Sequence, residues 1–550
     1  MVMIVALTVF ADNPVIRHMY TADPSAMVYN DTFWLFTGHD EGSTGYVMND
    51  WHIYSSTDMV NWTTHGACLA VTAFSWASKD AWAGQCTYRN GKFYWYVPMT
   101  HRTISGKAIG VAVATKITGP YTDAKGSAII TNNMTTDTNI TWDDIDPTIF
   151  IDVDSQAYLY WGNHSTYMVR LKSNMYDTMG SIVSYTSTFK PWNYEEAPWV
   201  YKRNSVYYFA FADSFPEYID YATSISPLGP WTRRGKINNL ITGCGTNHEA
   251  ILEYKGKWYF VYHSAGLPSG GDYKRSVCID TIGYNTDNTL KPVTMTTTGV
   301  APVGTAPVKA NTSYRIVSRL TGKVLQVASG AAQGATIQQR TWAGTDNQLW
   351  LIDSVGYGVY RIVNVQTGFC MDVLNGTLTD GTVIQQLAYS GAAKHKWRLM
   401  LTPDGYVAFV NVNSGKAVDI LNGSTADAAV IDQLGYIYTT ANATWKQQWQ
   451  LIEQTVAVVP SDAAGSGAGE TIALVTGSSG KRLVVIKGKN LRNLRCAITD
   501  LKGKRVYQKT SSDDDPNRVV LALPGTLPRG VYLLALRSEG WVDSKRILIR

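Results

Sequence analysis

Five stretches of this chain carry the same local pattern: strand-forming apolar and aromatic residues, a short polar turn, then an aromatic-rich second run. They are Ser25–Phe36, turning at Asn30-Asp31; Thr87–Val97, at Arg89-Asn90-Gly91; Ile149–Trp161, at Asp152–Gln156; Pro198–Phe211, at Arg203-Asn204-Ser205; and Ala250–Tyr262, at Lys255-Gly256-Lys257. Each reads as a β-hairpin. The aromatic after each turn is Trp34, Tyr94, Tyr158, Tyr207 or Tyr259, at spacings of 60, 64, 49 and 52 residues. A recurring all-β unit of this size is the mark of a propeller blade, so the pattern predicts five blades over residues 13–300.

The recurrence gives equivalent positions. Eleven or twelve residues before the five aromatics stand Asp23, Trp82, Asp146, Glu196 and His248. An Asp before a Pro, as in Asp146-Pro147, ordinarily opens a turn. In a propeller, however, the first strand of every blade lines the central channel, so these five side chains converge at one end of it. Gathered acids are costly unless they do chemistry. Two carboxyl groups with a supporting third, and no metal cluster or nucleophile elbow, point to glycoside hydrolysis. One group must protonate the leaving oxygen and another must take a proton from water, with their pKa values pushed apart. Glu195 competes with Glu196 for the acid role. Successive strand residues face opposite sides, and the register selects Glu196.

Composition narrows the partners. Aromatics are 12% and charged residues 17% of 550 residues, which suits a β-rich protein with sugar-stacking surfaces. A net charge of +5 is small for this length and argues for neither nucleic acid nor an anionic membrane. No apolar run reaches the roughly 18 residues of a membrane span. The six cysteines, at 68, 86, 244, 278, 370 and 496, lack paired metal spacing. The four in the propeller could form one or two disulfides in a secreted protein or remain buried thiols. Residues 1–12 read as a remnant of a signal peptide, short and without a basic start.

After a Pro/Ala/Gly/Thr linker at 301–310, residues 311–454 hold a threefold repeat. Tyr314-Arg315-Ile316-Val317 returns as Tyr360-Arg361-Ile362-Val363, and Gln348-Leu349-Trp350, His395-Lys396-Trp397 and Gln447-Gln448-Trp449 close the units. A period near 46–47 residues fits a β-trefoil, with the three Trp residues in its core. These residues resemble the ricin-type lectin fold, the family 13 carbohydrate-binding module, whose Gln-x-Trp signature is altered in the second unit. The resemblance implies sugar held by an Asp and a later aromatic: Asp372 with Tyr389, and Asp419 with Tyr436. The first unit has Gln326 at the Asp position, with Trp342. A second linker, 455–470, leads to 471–550, a small β-sandwich whose ending, Gly530-Val531-Tyr532 to Ile547-Leu548-Ile549-Arg550, resembles the C-terminal sorting domain of type IX secretion substrates.

The propeller region resembles glycoside hydrolase family 43, through Thr21-Ala22-Asp23-Pro24, Asp144-Ile145-Asp146-Pro147-Thr148-Ile149-Phe150 and Glu196-Ala197-Pro198-Trp199. The resemblance implies a five-bladed propeller that inverts anomeric configuration, with Asp23 as base, Glu196 as acid and Asp146 orienting the acid. Gly38-His39-Asp40-Glu41, Val47-Met48-Asn49-Asp50-Trp51, Asp80-Ala81-Trp82-Ala83 and Asn247-His248 look like arabinoxylan arabinofuranohydrolases. That likeness implies release of α-L-arabinofuranose branches from arabinoxylan. Trp82 and Phe215 would be stacking walls, Asn247 and Arg275 sugar hydrogen-bonders, and His248 would face a channel where relatives hold a hydrated structural calcium ion. No cofactor is needed for the chemistry. Asp143, Asp144 and Glu249 are expected to hold the blades together. The expected whole is an all-β chain, propeller then trefoil then small sandwich, secreted or at the surface of a bacterial cell, acting on plant cell-wall polysaccharide and xylo-oligosaccharides. β-Xylosidase or arabinanase activity on the same propeller is the nearest rival, and a non-catalytic carbohydrate-binding protein the further one.

Overall fold

The computed structural model describes residues 13–454, except 240–242, 305, 310–311, 329–331, 437 and 440–441, and beyond them seven strands between 471 and 549. The signal-peptide reading of 1–12 and the linker 455–470 lie outside the described residues.

Five small antiparallel sheets follow one another along the first half of the chain in a propeller-like arrangement. The first holds Thr21–Tyr29, Thr32–His39, Asp50–Ser56 and Trp62–Ala70; the second is built on Gln85–Arg89, Lys92–His101 and Lys107–Ala114. The third holds Thr148–Ile151, Ala157–Trp161, Tyr167–Leu171 and Thr178–Ser184; the fourth Tyr194–Arg203, Val206–Asp213, Tyr218–Ser224 and Thr232–Lys236; the fifth Ala250–Tyr254, Lys257–Ser264 and Ser276–Thr281. The ring is tied by its amino-terminal end. Val15 N–H donates to Val277 O at 2.8 Å and Thr21 N–H to Arg275 O at 2.9 Å, so the segment leading into the first sheet runs along the edge of the fifth. The middle strands are apolar on both faces because each sheet is covered by its neighbours: Trp95, Tyr96, Tyr160, Trp161 and Tyr208 are wholly buried. The five described cysteines are unpaired, so no disulfide staples the propeller.

The described residues of Ser313–Gln454 form twelve strands in three sets of four. Trp350, Trp397 and Trp449 fill the centre, and their indole N–H groups donate to Leu325 O, Met371 O and Val418 O, one equivalent bond per repeat. His395 keeps the job of the glutamine it replaces. Gln348 Nε2 donates to Gln326 at 2.9 Å, and His395 Nε2 lies 3.0 Å from Asp372, so each reaches the same strand position. The last seven strands make two antiparallel sheets.

Propeller and trefoil share one hydrophobic cluster, in which Val15, Ile16, Tyr54, Met59 and Trp62 pack with Met400, Ala408, Val410, Ala417 and Tyr436. Trp62–Thr63 pairs in parallel with Met400–Leu401, a strand bridge between the two units. The two units approach closely at Gly358. Its φ is 66°, in the left-handed region, and a Cβ there would sit 2.5 Å from Val60 O. Gly358→Ala is therefore expected to cost more than about 1 kcal/mol, read as a lower thermal midpoint with secondary structure intact by circular dichroism.

Candidate active site

The catalytic candidates stand where strands break their own ladder. Along Thr21–Tyr29 the pairing skips from Ala22 to Ser25, and along Tyr194–Arg203 from Glu196 to Trp199. The skipped residues are Asp23-Pro24 and Ala197-Pro198. A proline has no N–H for the ladder, so a bulge is where a strand tolerates one. Asp23 (φ 47°), Asp146 (φ 56°) and Ala197 (φ 54°) all take left-handed backbone conformations, and each precedes a proline. Such strain persists only where the surroundings enforce it, typically at working sites. The bulge also corrects the alternation argument. Glu195 and Glu196 both line the pocket, because the strand is out of register at this point.

One pocket of about 260 Å³ gathers Asp23, Trp82, Asp146, Glu196 and His248, one from each sheet or the loop before it, with Tyr46, Asn163, Phe215, Glu217 and Arg275 among the other walls. Asp23 Oδ1 accepts from Arg275 Nη1 at 2.6 Å, and the Asp23 N–H donates to His263 Nδ1 at 3.2 Å. Burial would raise this carboxyl, but the guanidinium outweighs it and holds Asp23 below the usual carboxylate range. Glu196 is pushed the other way, to about 7, by burial and then by the negative charge of Asp23; a hydrogen bond from Asn163 Nδ2 at 2.7 Å partly opposes this. Asp146 is raised well above its ordinary value by burial and by Glu196. Its Oδ2 accepts the Ala197 N–H at 3.0 Å, which pins the bulge beside Glu196. Two carboxyls in one pocket are thus set apart, one ionised and one protonated near neutral pH.

The other expected residues divide. Trp82 and Phe215 are in the wall, but Lys107 Nζ lies 3.2 Å from the centre of the Trp82 ring and occupies one face; Phe215 is 64% exposed at the rim. Arg275, expected as a sugar hydrogen-bonder, lines the pocket but is buried and hydrogen-bonded to Asp23 and to Asp40, whose oxygens it reaches at 2.9 and 3.0 Å, so its guanidinium holds two carboxylates in place. Asn247, expected as a sugar hydrogen-bonder, is wholly buried and absent from the pocket wall; its backbone N–H donates to Glu217 Oε2. His248 Nδ1 lies 3.9 Å from Asp146, and burial lowers its pKa to about 4, leaving a neutral imidazole. Glu217 was not anticipated. It follows the turn at Phe215-Pro216, is buried in the pocket wall, and is raised well above its usual range by burial and by Glu196. Asp144 accepts from Trp161 Nε1 at 2.7 Å and Thr135 Oγ1 at 2.8 Å, and Asp143 from Thr138 Oγ1 at 3.0 Å, which are structural roles.

The residues on either side of His248 carry buried atoms without partners: both oxygens of Glu249 and both polar atoms of the Asn247 side chain. An oxygen-rich buried donor set of this kind fits a hydrated calcium ion.

In the trefoil, Tyr436 is wholly buried with its ring 5.5 Å from that of His18, so the expected sugar-stacking face is spent on the propeller contact. Asp419 is buried against Lys446 Nζ at 3.2 Å. Asp372 is buried too, 3.0 Å from Lys394 Nζ, while Tyr389 keeps a partly exposed ring under Arg361.

Comparison with known proteins places these features. The family model described as glycosyl hydrolases family 43 matches residues 11–290, and the ricin-type β-trefoil lectin domain-like model matches 303–387, 376–434 and 393–498. The chain is 28% identical over 336 residues to xylosidase/arabinosidase 43A of Humicola insolens, covering 50% of this chain and 98% of that one. It is 29% identical over 345 residues to the arabinoxylan arabinofuranohydrolase of Bacillus subtilis (strain 168), covering 53% and 66%. A solved family 43 arabinoxylan arabinofuranohydrolase from Bacillus subtilis, in complex with cellotetraose, shares the fold at TM-score 0.51 and 21% identity, over 81% of this chain and 98% of that one.

Proposed function

Since the chain belongs to glycosyl hydrolase family 43, we propose that it removes α-L-arabinofuranosyl branches from arabinoxylan by a single inverting displacement. The observation that carries this reading is the divergence of two carboxyls in one pocket: Asp23 held ionised by Arg275, and Glu196 held protonated to about pH 7. Glu196 gives its proton to the departing glycosidic oxygen as the bond to the anomeric carbon breaks. Asp23 takes a proton from the water that forms the new bond from the opposite face. Asp146 fixes the backbone that aims Glu196. A calcium ion, held by His248 with Glu249 and Asn247 close by, would add positive charge beside these acids when bound.

The pH dependence follows. Activity requires Asp23 ionised, so kcat/KM falls in acid as Asp23 protonates, below the usual carboxylate range. It also requires Glu196 protonated, so activity falls as pH rises through about 7. Asn163→Ala removes a donor that favours the charged form of Glu196. Its alkaline limb is expected to move upward while the acid limb stays, and a pH–rate profile reads both.

The trefoil is proposed to tether the enzyme to polysaccharide through its second lobe, where Tyr389 keeps part of its ring exposed beside Arg361. Tyr389→Ala should weaken retention on insoluble arabinoxylan several-fold in pull-down while leaving turnover of soluble oligosaccharides unchanged. A polymeric wall substrate and a tail resembling a sorting domain support a secreted or surface-attached bacterial enzyme.

The test of the whole reading is sugar release from wheat arabinoxylan, debranched arabinan and xylo-oligosaccharides, followed by chromatography. Arabinose alone with an intact xylan chain supports it. Xylose from the oligosaccharides moves the same acids to a β-xylosidase, and no sugar from any substrate leaves a binding protein.

A further inference from the structure

Outside the pocket, one cluster of ligand-forming side chains among the described residues is left without a task. His39 ends the strand Thr32–His39, and Asp50 and His52 open the neighbouring strand Asp50–Ser56. Residues two apart on a strand share a face, which puts Asp50 beside His52. The pairing of Gly38 with Trp51 brings His39 across to them. His39 Nδ1 is 3.3 Å and His52 Nε2 3.1 Å from Asp50 Oδ1, and the three ligand atoms all lie within 4.8 Å of one another. Tetrahedral zinc, bound to nitrogen and oxygen at about 2.0–2.1 Å, sets its ligand atoms about 3.3 Å apart. His39 and Asp50 keep 20% and 27% of their side-chain surface, so one side is open to solvent. Behind them lies another imidazole. The buried Nδ1 of His18 has no hydrogen-bond partner, and its ring packs edge-on to Tyr54, which stacks on His52.

We propose that His39, Asp50 and His52 bind one divalent transition-metal ion of the zinc type, with its fourth position open to water. Two imidazoles and one carboxylate select zinc, cobalt or nickel over calcium, which prefers six to eight oxygens. The ion pins both ends of the loop 40–49. That loop carries Asp40, which grips Arg275, and Tyr46 and Met48, which line the catalytic pocket. The site therefore braces one wall of the pocket from behind without touching substrate.

The experiment uses full-length protein treated with chelator and dialysed, then titrated with Zn²⁺ by calorimetry and with Co²⁺ by visible absorption. Expected are one zinc equivalent missing from His39→Gln and from Asp50→Asn, a raised thermal midpoint for wild type with zinc, and the intense visible band of four-coordinate cobalt. Millimolar calcium should displace neither ion. Equal zinc stoichiometry in wild type and both variants would overturn the proposal, as would displacement by calcium. Absence of the cobalt band from wild type would overturn it independently of how the variants fold, leaving a hydrogen-bonded triad with Asp50 as shared acceptor.

Discussion

Glu196→Gln is expected to lower kcat on arabinoxylan by about 10²–10⁴-fold, the usual contribution of a positioned general acid. The variant keeps the volume of the side chain, and its amide oxygen still accepts from Asn163 Nδ2, so the bulge and the pocket survive. What it lacks is the proton. The loss should therefore depend on the leaving group: an aryl arabinofuranoside whose phenol departs without protonation loses far less than the polymer. Asp23→Asn should lose activity on both substrates, because the attacking water needs its base whatever departs. Initial rates on the two substrates separate the roles. A Glu196→Gln enzyme at wild-type rate on arabinoxylan would remove Glu196 from the chemistry.

Arg275→Leu carries the largest expected cost in stability, about 3–5 kcal/mol, because it strands two buried carboxyls, Asp23 and Asp40. The sign of its pH dependence can be worked out. In wild type the depressed pKa of Asp23 contributes stability above the usual carboxylate range, lost as pH falls through its folded value. In the variant, burial acts on Asp23 unopposed and raises its pKa, so the ionised form becomes a penalty at neutral pH that protonation relieves. The gap in thermal midpoint between the two proteins should be wide at pH 7 and narrower in acid. The acid limb of kcat/KM should move upward in the variant. An unchanged midpoint and limb would show that the ion pairs contribute little.

The fold was legible because hairpins advertise themselves locally: a turn such as Arg89-Asn90-Gly91 between aromatic runs needs no distant information. The acids follow from equivalence between repeats, and the prolines after Asp23 and Ala197 are a visible mark of the two bulges. The consequence of those bulges was harder to see. A two-residue period says nothing about a strand that slips register, which is why Glu195 enters the pocket with Glu196. Glu217 sits in a turn outside the aligned hairpins, so no repeat pointed to it. The sugar-binding expectation for Arg275 and Tyr436 rests on family resemblance, and the neighbours the structure gives them, Asp23 and His18, lie 252 and 418 positions away in the chain. Contacts that distant are written in shape and not in spacing.

The shared cluster around Trp62, Met400 and Tyr436 has a mechanical consequence. A lectin on a loose tether raises local substrate concentration at all distances its linker allows. A lectin bolted to the catalytic ring through a common core offers a single reach and a single bearing, like the fixed fence of a bench saw. A xylan strand gripped by the second lobe would present its branches to the pocket only at certain intervals along the backbone. Release from a polymer should then vary with branch spacing in a stepwise manner, and short soluble fragments should show no such preference. Cutting the chain near Gly299 would do more than free the ring from its guide, since it would lay bare Val15, Ile16 and Trp62 to water.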